Sequence, residues 1–316
     1  MAGATSDPVA SKSPSLIAGA APPVGVGLPV YNGEPYLAAS LRSLLGQSDA
    51  DFELVIADNC STDGTEEICR EAARADQRVR YLRRDRNIGV VANHNQVVHE
   101  TRGEFFSWAA SDDEYRPDRL AKLSDALRTH PDASVAISAA EEIDETGRVL
   151  SLWRNTIRTD HADPAVRMRA KLADPDENLQ MYGLIRRSAL LRTGLHAQIK
   201  GSDRILIVEL ALNGHFVVVD EPLLRHRNHT RRNSEVTDSR SFRVSEGQRR
   251  RITLPNVEEG GLLLRAVRNA PLRGRDRLRA YRALSPWLRR NAVPMARNVA
   301  RAGIESARGI GQSKGP

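Results

Sequence analysis

The chain has 316 residues with 47 Lys and Arg against 40 Asp and Glu, a net charge of +7, 40% hydrophobic residues and 4% aromatic ones. That balance excludes a chain disordered throughout and a disulfide-built miniprotein, and it suits a soluble globular protein of one large domain or two ordinary ones. The two cysteines, Cys60 and Cys69, form neither a metal-finger spacing nor a disulfide framework, which points to a reducing, cytoplasmic compartment.

Residues 1–23 have a short apolar centre and one basic residue, Lys12, a poor match to a secretory signal, so they read as a flexible leader. No apolar run approaches the roughly 20 residues of a membrane helix. From Val24 onward short apolar runs alternate with helical stretches, the pattern of an α/β sheet. A strand is predicted over 24–30, then a helix over 35–45 with an apolar face at Leu37, Leu41 and Leu44, stopped by Gly46. A strand over 52–57 leads through a turn at 58–64 to a helix capped by Thr65, with Glu66 and Glu67 in its first turn. Strands over 79–82 and 104–109 flank a helix over 90–99. Pro117 opens a helix to residue 128, and a strand follows over 134–139. The polar stretch 160–178 reads as a mobile loop or short helices, after which 182–185, a helix over 203–212 and a strand over 216–219 restore order. Residues 236–257 read as a linker, and the Arg-rich remainder as two helices broken by Pro271 and Pro286.

The positive charge is concentrated in that remainder. Between Leu262 and Arg308 twelve Arg face only Asp276 and Glu305, a local net of +10, so the rest of the chain sums to 7 − 10 = −3. Without aromatic interleaving or a recognisable reading motif, nucleic acid is not the expected partner. Basic amphipathic helices suit the anionic inner face of a membrane, a hairpin packed on the domain, or an oligomer contact.

In open α/β sheets ligands bind beyond the carboxyl ends of the strands. Four predicted strand or helix ends carry polar groups: Pro29 to Gly33, Asp58, the pair Asp112-Asp113, and Asp203. Gly25-Val26-Gly27 lacks the third glycine of a dinucleotide fingerprint, and no phosphate-loop motif follows a strand. Adjacent carboxylates at Asp112 and Asp113 can instead hold a hard divalent cation whose other ligands are water and phosphate oxygens. The plainer reading of the pair is a loop favouring the following helix N-terminus.

In order and spacing these segments resemble the inverting family 2 glycosyltransferases. The matching pieces are Leu28-Pro29-Val30-Tyr31-Asn32-Gly33, the run from Phe52 to Thr65, Asn87-Ile88-Gly89 with Ala92-Asn93, and Thr101 to Phe105 before the acidic pair. The resemblance implies a GT-A nucleotide-diphospho-sugar transferase fold over 24–235: a mixed, mainly parallel central sheet flanked by helices, with a nucleotide-sugar-binding half (24–140), an acceptor-binding half (141–235) and a helical Arg-rich extension.

It also implies roles. Pro29, Tyr31, Asn32, Asp58, Asn93, Asp112 and Arg227 would bind the nucleotide sugar, Tyr31 flanking the base and Asp58 accepting from a base NH, which favours UDP- or dTDP-sugars. Asp113 would be the principal ligand of Mg2+ or Mn2+, with Asp112 and His229 beside it. Asp203, in a segment similar to the one that carries the family's catalytic base, would take the acceptor hydroxyl proton in a single displacement. Two positions depart from the family pattern: Ala110 stands where an acidic residue is common, and His226 where a tyrosine is usual. Each role has a plainer counterpart: Tyr31 as a packing aromatic, Asp58 as an Asx turn, Asp203 as a helix-entry residue, and Arg227 and His229 as a solvated basic loop. The acceptor, whether glycan, lipid-linked or small molecule, stays open, as does a noncatalytic sugar-nucleotide-binding scaffold of the same fold.

Overall fold

Buried apolar runs at 24–30, 52–58 and 105–108 lie side by side as parallel strands, because a strand covered by helices on both faces has no polar side to alternate. The computed structural model describes residues 23–49, 51–174, 178–229 and 253–311. Residues 1–22 of the expected leader, Ser234 and positions 236–252 of the expected linker lie outside them. In chain order the elements are β1 (Val24–Val30), α1 (Glu34–Leu45), β2 (Phe52–Asp58), α2 (Thr65–Ala75), β3 (Val79–Arg83), α3 (Val90–Glu100), β4 (Phe105–Trp108), β5 (Glu114–Tyr115), α4 (Arg119–Thr129), β6 (Ala133–Ile143) and β7 (Val149–Trp153). There follow α5 (Pro164–Ala173), a 3-10 turn (Leu179–Tyr182), β8 (Leu184–Arg186), α6 (Arg187–Leu190), α7 (Ser202–Asn213), β9 (His215–Arg227), α8 (Pro255–Asn269), α9 (Gly274–Ala283) and α10 (Ser285–Gly311).

The strands form one mixed sheet in the order β3-β2-β1-β4-β8-β6-β9-β5, with β7 paired to β6. The long ladders are parallel, β1 with β2 and β4, β2 with β3, and β6 with β9. Only the short β5, β7 and β8 run against them. The carboxyl ends of β1, β2, β4 and β9 therefore share one edge. Leu37, Leu41 and Leu44 of α1 and Leu120, Leu123 and Leu127 of α4 pack one face of the sheet. Val97 and Val98 of α3 and Leu206, Ile207 and Leu210 of α7 pack the other. The glycines of Gly25-Val26-Gly27 serve this packing: a Cβ on Gly27 would lie 2.6 Å from Val97 Cγ2, and one on Gly25 2.7 Å from Thr101 Cβ.

The structure differs from the sequence expectation at several element ends. Thr65 is not the cap of α2. It is the first helical residue, and its hydroxyl accepts from Gly33 N at 2.9 Å, which ties the end of β1 to the helix. Pro117 precedes α4 rather than opening it. The region 160–178 contains the ten-residue α5, capped by Asp163, whose side chain accepts from Ala165 N. β9 runs to Arg227, well past the expected 219, because a register shift at Asp220-Glu221-Pro222 lets the polar strand continue beside β6.

The C-terminal segment forms three helices. Leu263, Val267, Leu272, Leu284 and Trp287 are buried against Met168, Leu172, Ile205 and Val208 of α5 and α7. This part of the Arg-rich extension completes the core of the second half. Leu263→Ala is accordingly expected to destabilise the whole protein by about 2–5 kcal/mol, seen as one cooperative shift in thermal unfolding, whereas helices hanging free of the domain would leave the transition unmoved. No helix among the described residues is long and apolar enough to cross a membrane.

Candidate active site

Two loops close the carboxyl edge at β1 and β2. Asn32, at φ 52°, takes the left-handed conformation that Asn tolerates, and its N–H donates to Ser61 Oγ at 2.9 Å while Oδ1 accepts from Thr62 N at 2.9 Å. Asn59 reaches across to the third loop: its Nδ2 donates to Asn87 Oδ1 (2.9 Å) and its Oδ1 accepts from Ile88 N (2.8 Å). Tyr31 is left 47% exposed on this edge, free to face a ligand, and Pro29 sits in β1 in register with Ala57.

Asp58 is fully buried beneath these loops. Oδ2 accepts from Tyr81 Oη and Arg83 Nη1, both at 2.7 Å, and Oδ1 accepts from Ser61 N at 2.8 Å. Burial and the hydrogen bond to Asp58 raise the pKa of Tyr81. As placed, Asp58 braces the turn, and an incoming base NH would have to share an oxygen already bonded within the protein. Tyr81, within the expected strand over 79–82, and Arg83, just past its end, were not singled out in the sequence. Asn93 is buried in α3, donating to Ala57 O at 2.8 Å, and its Oδ1 has no partner among the described residues.

The acidic pair follows β4. Tyr115 Oη accepts from Ala110 N (2.8 Å) and Ser40 Oγ donates to Ala110 O (2.9 Å), so the backbone before the pair is held from both sides. The carboxyl end of β9, brought here by its pairing with β5 and β6, supplies the partners. Asp113 is fully buried, with Oδ1 accepting from Arg227 N at 2.9 Å and both oxygens 3.0–3.1 Å from His226 Nδ1. As placed, the Asp113 carboxylate faces the interior and ties down the end of β9 through Arg227 N and His226. Asp112 has a side chain 28% exposed, and its Oδ2 lies 2.9 Å from His229 Nε2. Burial and the neighbouring Asp113 raise the Asp112 carboxyl above the usual range, and His229 opposes that rise.

Arg227, expected at the nucleotide sugar, is held within the protein in this arrangement. Its guanidinium is 4% exposed and donates to Asp112 O, Asp144 O, Glu145 O and Glu114 Oε1, and it lies 4.9 Å over the Tyr36 ring. With these partners it anchors the end of β9. Glu114, which also pairs with Arg225, and Tyr36, whose ring lies 4.9 Å from that of His229, are further members of this cluster. Glu114 adjoins the acidic pair, a signal the sequence did carry.

Asp203 stands in the first turn of α7 after Gly201, whose φ of 72° sets the entry. Asn178 Nδ2 donates to its Oδ2 at 2.8 Å and Arg204 N to its Oδ1 at 2.9 Å. The preceding loop is clamped to α3: Asn95 Nδ2 donates to His196 O and His196 N donates to Asn95 Oδ1, both at 2.9 Å. His94 feels the charge of Asp203, and its carbonyl accepts from Trp108 Nε1 at 3.0 Å at the end of β4. Asp203 thus belongs to the same edge as Asp112.

Burial and the neighbouring His94 push the His196 pKa down to about 3. A histidine held neutral in the fold but free to protonate when unfolded makes the unfolded state bind more protons below its ordinary pKa of about 6.5, so stability falls as pH drops through that value. Thermal unfolding from pH 7.5 to 5 is expected to show this loss, and His196→Gln is expected to flatten it.

A cavity of about 530 Å³ lined by His130, Asn155, His215 and Phe216 opens at the amino end of β9, on the opposite edge, and contains none of these residues. The Asp112–His229 pair supplies one carboxylate and one imidazole, and among the described residues no third His, Cys, Asp or Glu completes a cluster. That donor set fits a cation that retains water and takes its remaining ligands from substrate oxygens.

The profile described as Glycosyl transferase family 2 matches residues 26–194. A glycosyltransferase of Methanocaldococcus jannaschii without an assigned role is 33% identical over 42% of this chain and 47% of its own length. An uncharacterised protein of Mycobacterium tuberculosis is 30% identical over 71% of this chain and 64% of its own. The chain thus spans less than two thirds of the curated relatives it matches. Among solved structures, S. aureus TarS 1-349 in complex with UDP-GlcNAc superposes with a TM-score of 0.60 at 18% identity, covering 85% of this chain and 72% of that one. The mannosyltransferase PcManGT from Pyrobaculum calidifontis, in complex with GDP-Man and Mn2+, gives 0.50 at 17% identity, covering 94% and 84%. At these identities the likeness establishes the fold.

Proposed function

The chain belongs to glycosyl transferase family 2, and from that premise we propose that it moves a sugar from a nucleoside-diphosphate sugar to an acceptor hydroxyl by a single inverting displacement. What supports this reading is that the Asp112–His229 pair, after β4, and Asp203, at the entry of α7, stand at the same edge of the sheet.

Tyr31 and the loops braced by Asp58 and Asn59 form the donor's base site, with a UDP- or dTDP-sugar as the favoured donor. Asp112 and His229 would hold Mg2+ or Mn2+, which when bound neutralises the charge of the departing diphosphate. Asp203 takes the proton from the acceptor hydroxyl. Asn178 and the N–H of Arg204 fix its two oxygens, so the base is oriented before the acceptor arrives. Arg227, Glu114 and Asp113 keep the end of β9 in place, and so hold His229 against Asp112.

Thermal stabilisation across uridine-, thymidine- and guanosine-diphosphate sugars, with and without Mn2+, tests the donor side. A true donor at 100-fold its Kd should stabilise by about 2.7 kcal/mol. Asp112→Asn is expected to remove the part that depends on the metal while leaving the stability of the free protein within about 1 kcal/mol, since its carboxylate is partly exposed. If no donor stabilises the protein or releases nucleoside diphosphate, the transfer reading fails; stabilisation without release across an acceptor panel favours a binding scaffold.

A further inference from the structure

The helices of the Arg-rich extension differ in how far they are buried. α8 and α9 turn most of their apolar residues into the core, leaving Leu264 and Leu278 exposed, and α10 buries one face through Trp287. The other face of α10 is exposed. Arg289, Val293, Ala296, Ala300 and Ile304 follow one another at helical spacing along it, with Val293 59% and Ile304 54% exposed. Arg290, Arg297 and Arg301 run beside this stripe, and no acidic residue occurs in α10 up to Ile304.

At its amino end this helix borders a cleft of about 460 Å³, whose wall is largely apolar, from Leu172, Pro286 and Trp287, and whose charged residues are Arg169, Arg289 and Arg290. No carboxylate lines it. The cleft is tied to the start of α7: Arg290 Nη2 (3.2 Å) and Arg204 Nη2 (2.6 Å) both donate to Leu172 O, and Arg204 follows Asp203 in the chain. An apolar cleft rimmed by three guanidinium groups suits an amphiphile with an anionic head, because the chain is taken from water while the arginines pair with the head. The apolar stripe continuing from it, flanked by arginines, suits the surface in which such a molecule resides.

We propose that the cleft and the outer face of α10 together bind a phosphate-bearing lipid, its head group held by Arg169, Arg289 and Arg290. This deepens the transfer reading and rests on it only in making that lipid the acceptor's carrier.

The test is co-sedimentation of the full chain with phosphatidylcholine vesicles, either plain or doped with hexadecyl phosphate. Binding is expected to the doped vesicles alone. Neutralising the rim in Arg289→Gln/Arg290→Gln should lower partitioning roughly tenfold or more. Arg169→Gln, which lies on α5 away from the exposed stripe, should also lower it; an unchanged Arg169→Gln would overturn the cleft. Equal binding to plain vesicles, undiminished binding of the double variant, or complete release by inorganic phosphate would overturn the lipid. Donor-induced stabilisation with Mn2+ is measured on each variant in parallel. Its retention shows that the variant is folded, and its absence from the unaltered protein would count against the transfer reading and leave the lipid result standing on its own.

Discussion

Asp203→Asn should lower turnover by about 10²- to 10⁴-fold, the range a positioned general base contributes, while metal-dependent stabilisation by the donor is retained. The substitution keeps size and hydrogen-bonding shape: an Asn at this position can still accept from Asn178 Nδ2 or Arg204 N, so α7 keeps its entry. What it loses is the ability to take a proton. Nucleoside diphosphate release with a working acceptor is the measurement, and near-wild-type turnover would remove Asp203 from the mechanism. Asn178→Ala offers a second reading of the same group: with one oxygen no longer held, kcat should fall more than KM, as expected of a residue that orients the base and does not bind the acceptor.

The second large effect concerns stability. Asp113→Ala should cost roughly 3 kcal/mol or more, because it strips the acceptor from the Arg227 N–H and from His226 Nδ1 at a fully buried site. For a protein of this size that corresponds to a fall in melting temperature of about 5 °C. Asp112→Asn, one residue earlier, should barely move it. The contrast separates the two carboxylates: an Asp113 acting chiefly as a metal ligand would lose donor binding at unchanged stability. The position of His226 explains why Asp113 turns inward, since an imidazole at the end of β9 supplies a buried donor within 3.0–3.1 Å of both oxygens.

Much of the first half was legible in the sequence, for a physical reason. Its strands are short, apolar and buried on both faces, and its helices carry their apolar residues on one side, so each element announces itself locally. Asp58, Asp112 and Asp203 could be picked out because ligands of open α/β sheets sit beyond strand ends and at helix entries. Tyr31 and Asn32 could be picked out because their segment resembles the family's opening, although the same positions also favour polar residues for turns and caps. The second half was harder to read. β9 is polar along much of its length, and β7 is largely exposed, so neither shows the alternation that marks a strand. Without the end of β9 in view, Arg227 and His229 read as neighbours of equal standing in a basic loop, although one is buried among carbonyl oxygens and the other faces Asp112.

Local pattern therefore determined the order of elements, the edge on which a ligand would sit and the concentration of charge at the C-terminus, because each follows from residues close together in the chain. Tertiary structure decided which of two adjacent carboxylates faces outward and that the Arg227 side chain is held among carbonyl oxygens. It also decided that the basic extension packs apolar residues on α5 and α7 while α10 keeps one long face exposed. Those outcomes depend on partners about 110 residues away along the chain, as with His226 and Asp113, or on the burial of one helix face against α5 and α7. Neither separation nor burial has a local signature, and both are settled only when the strands pair and the helices pack.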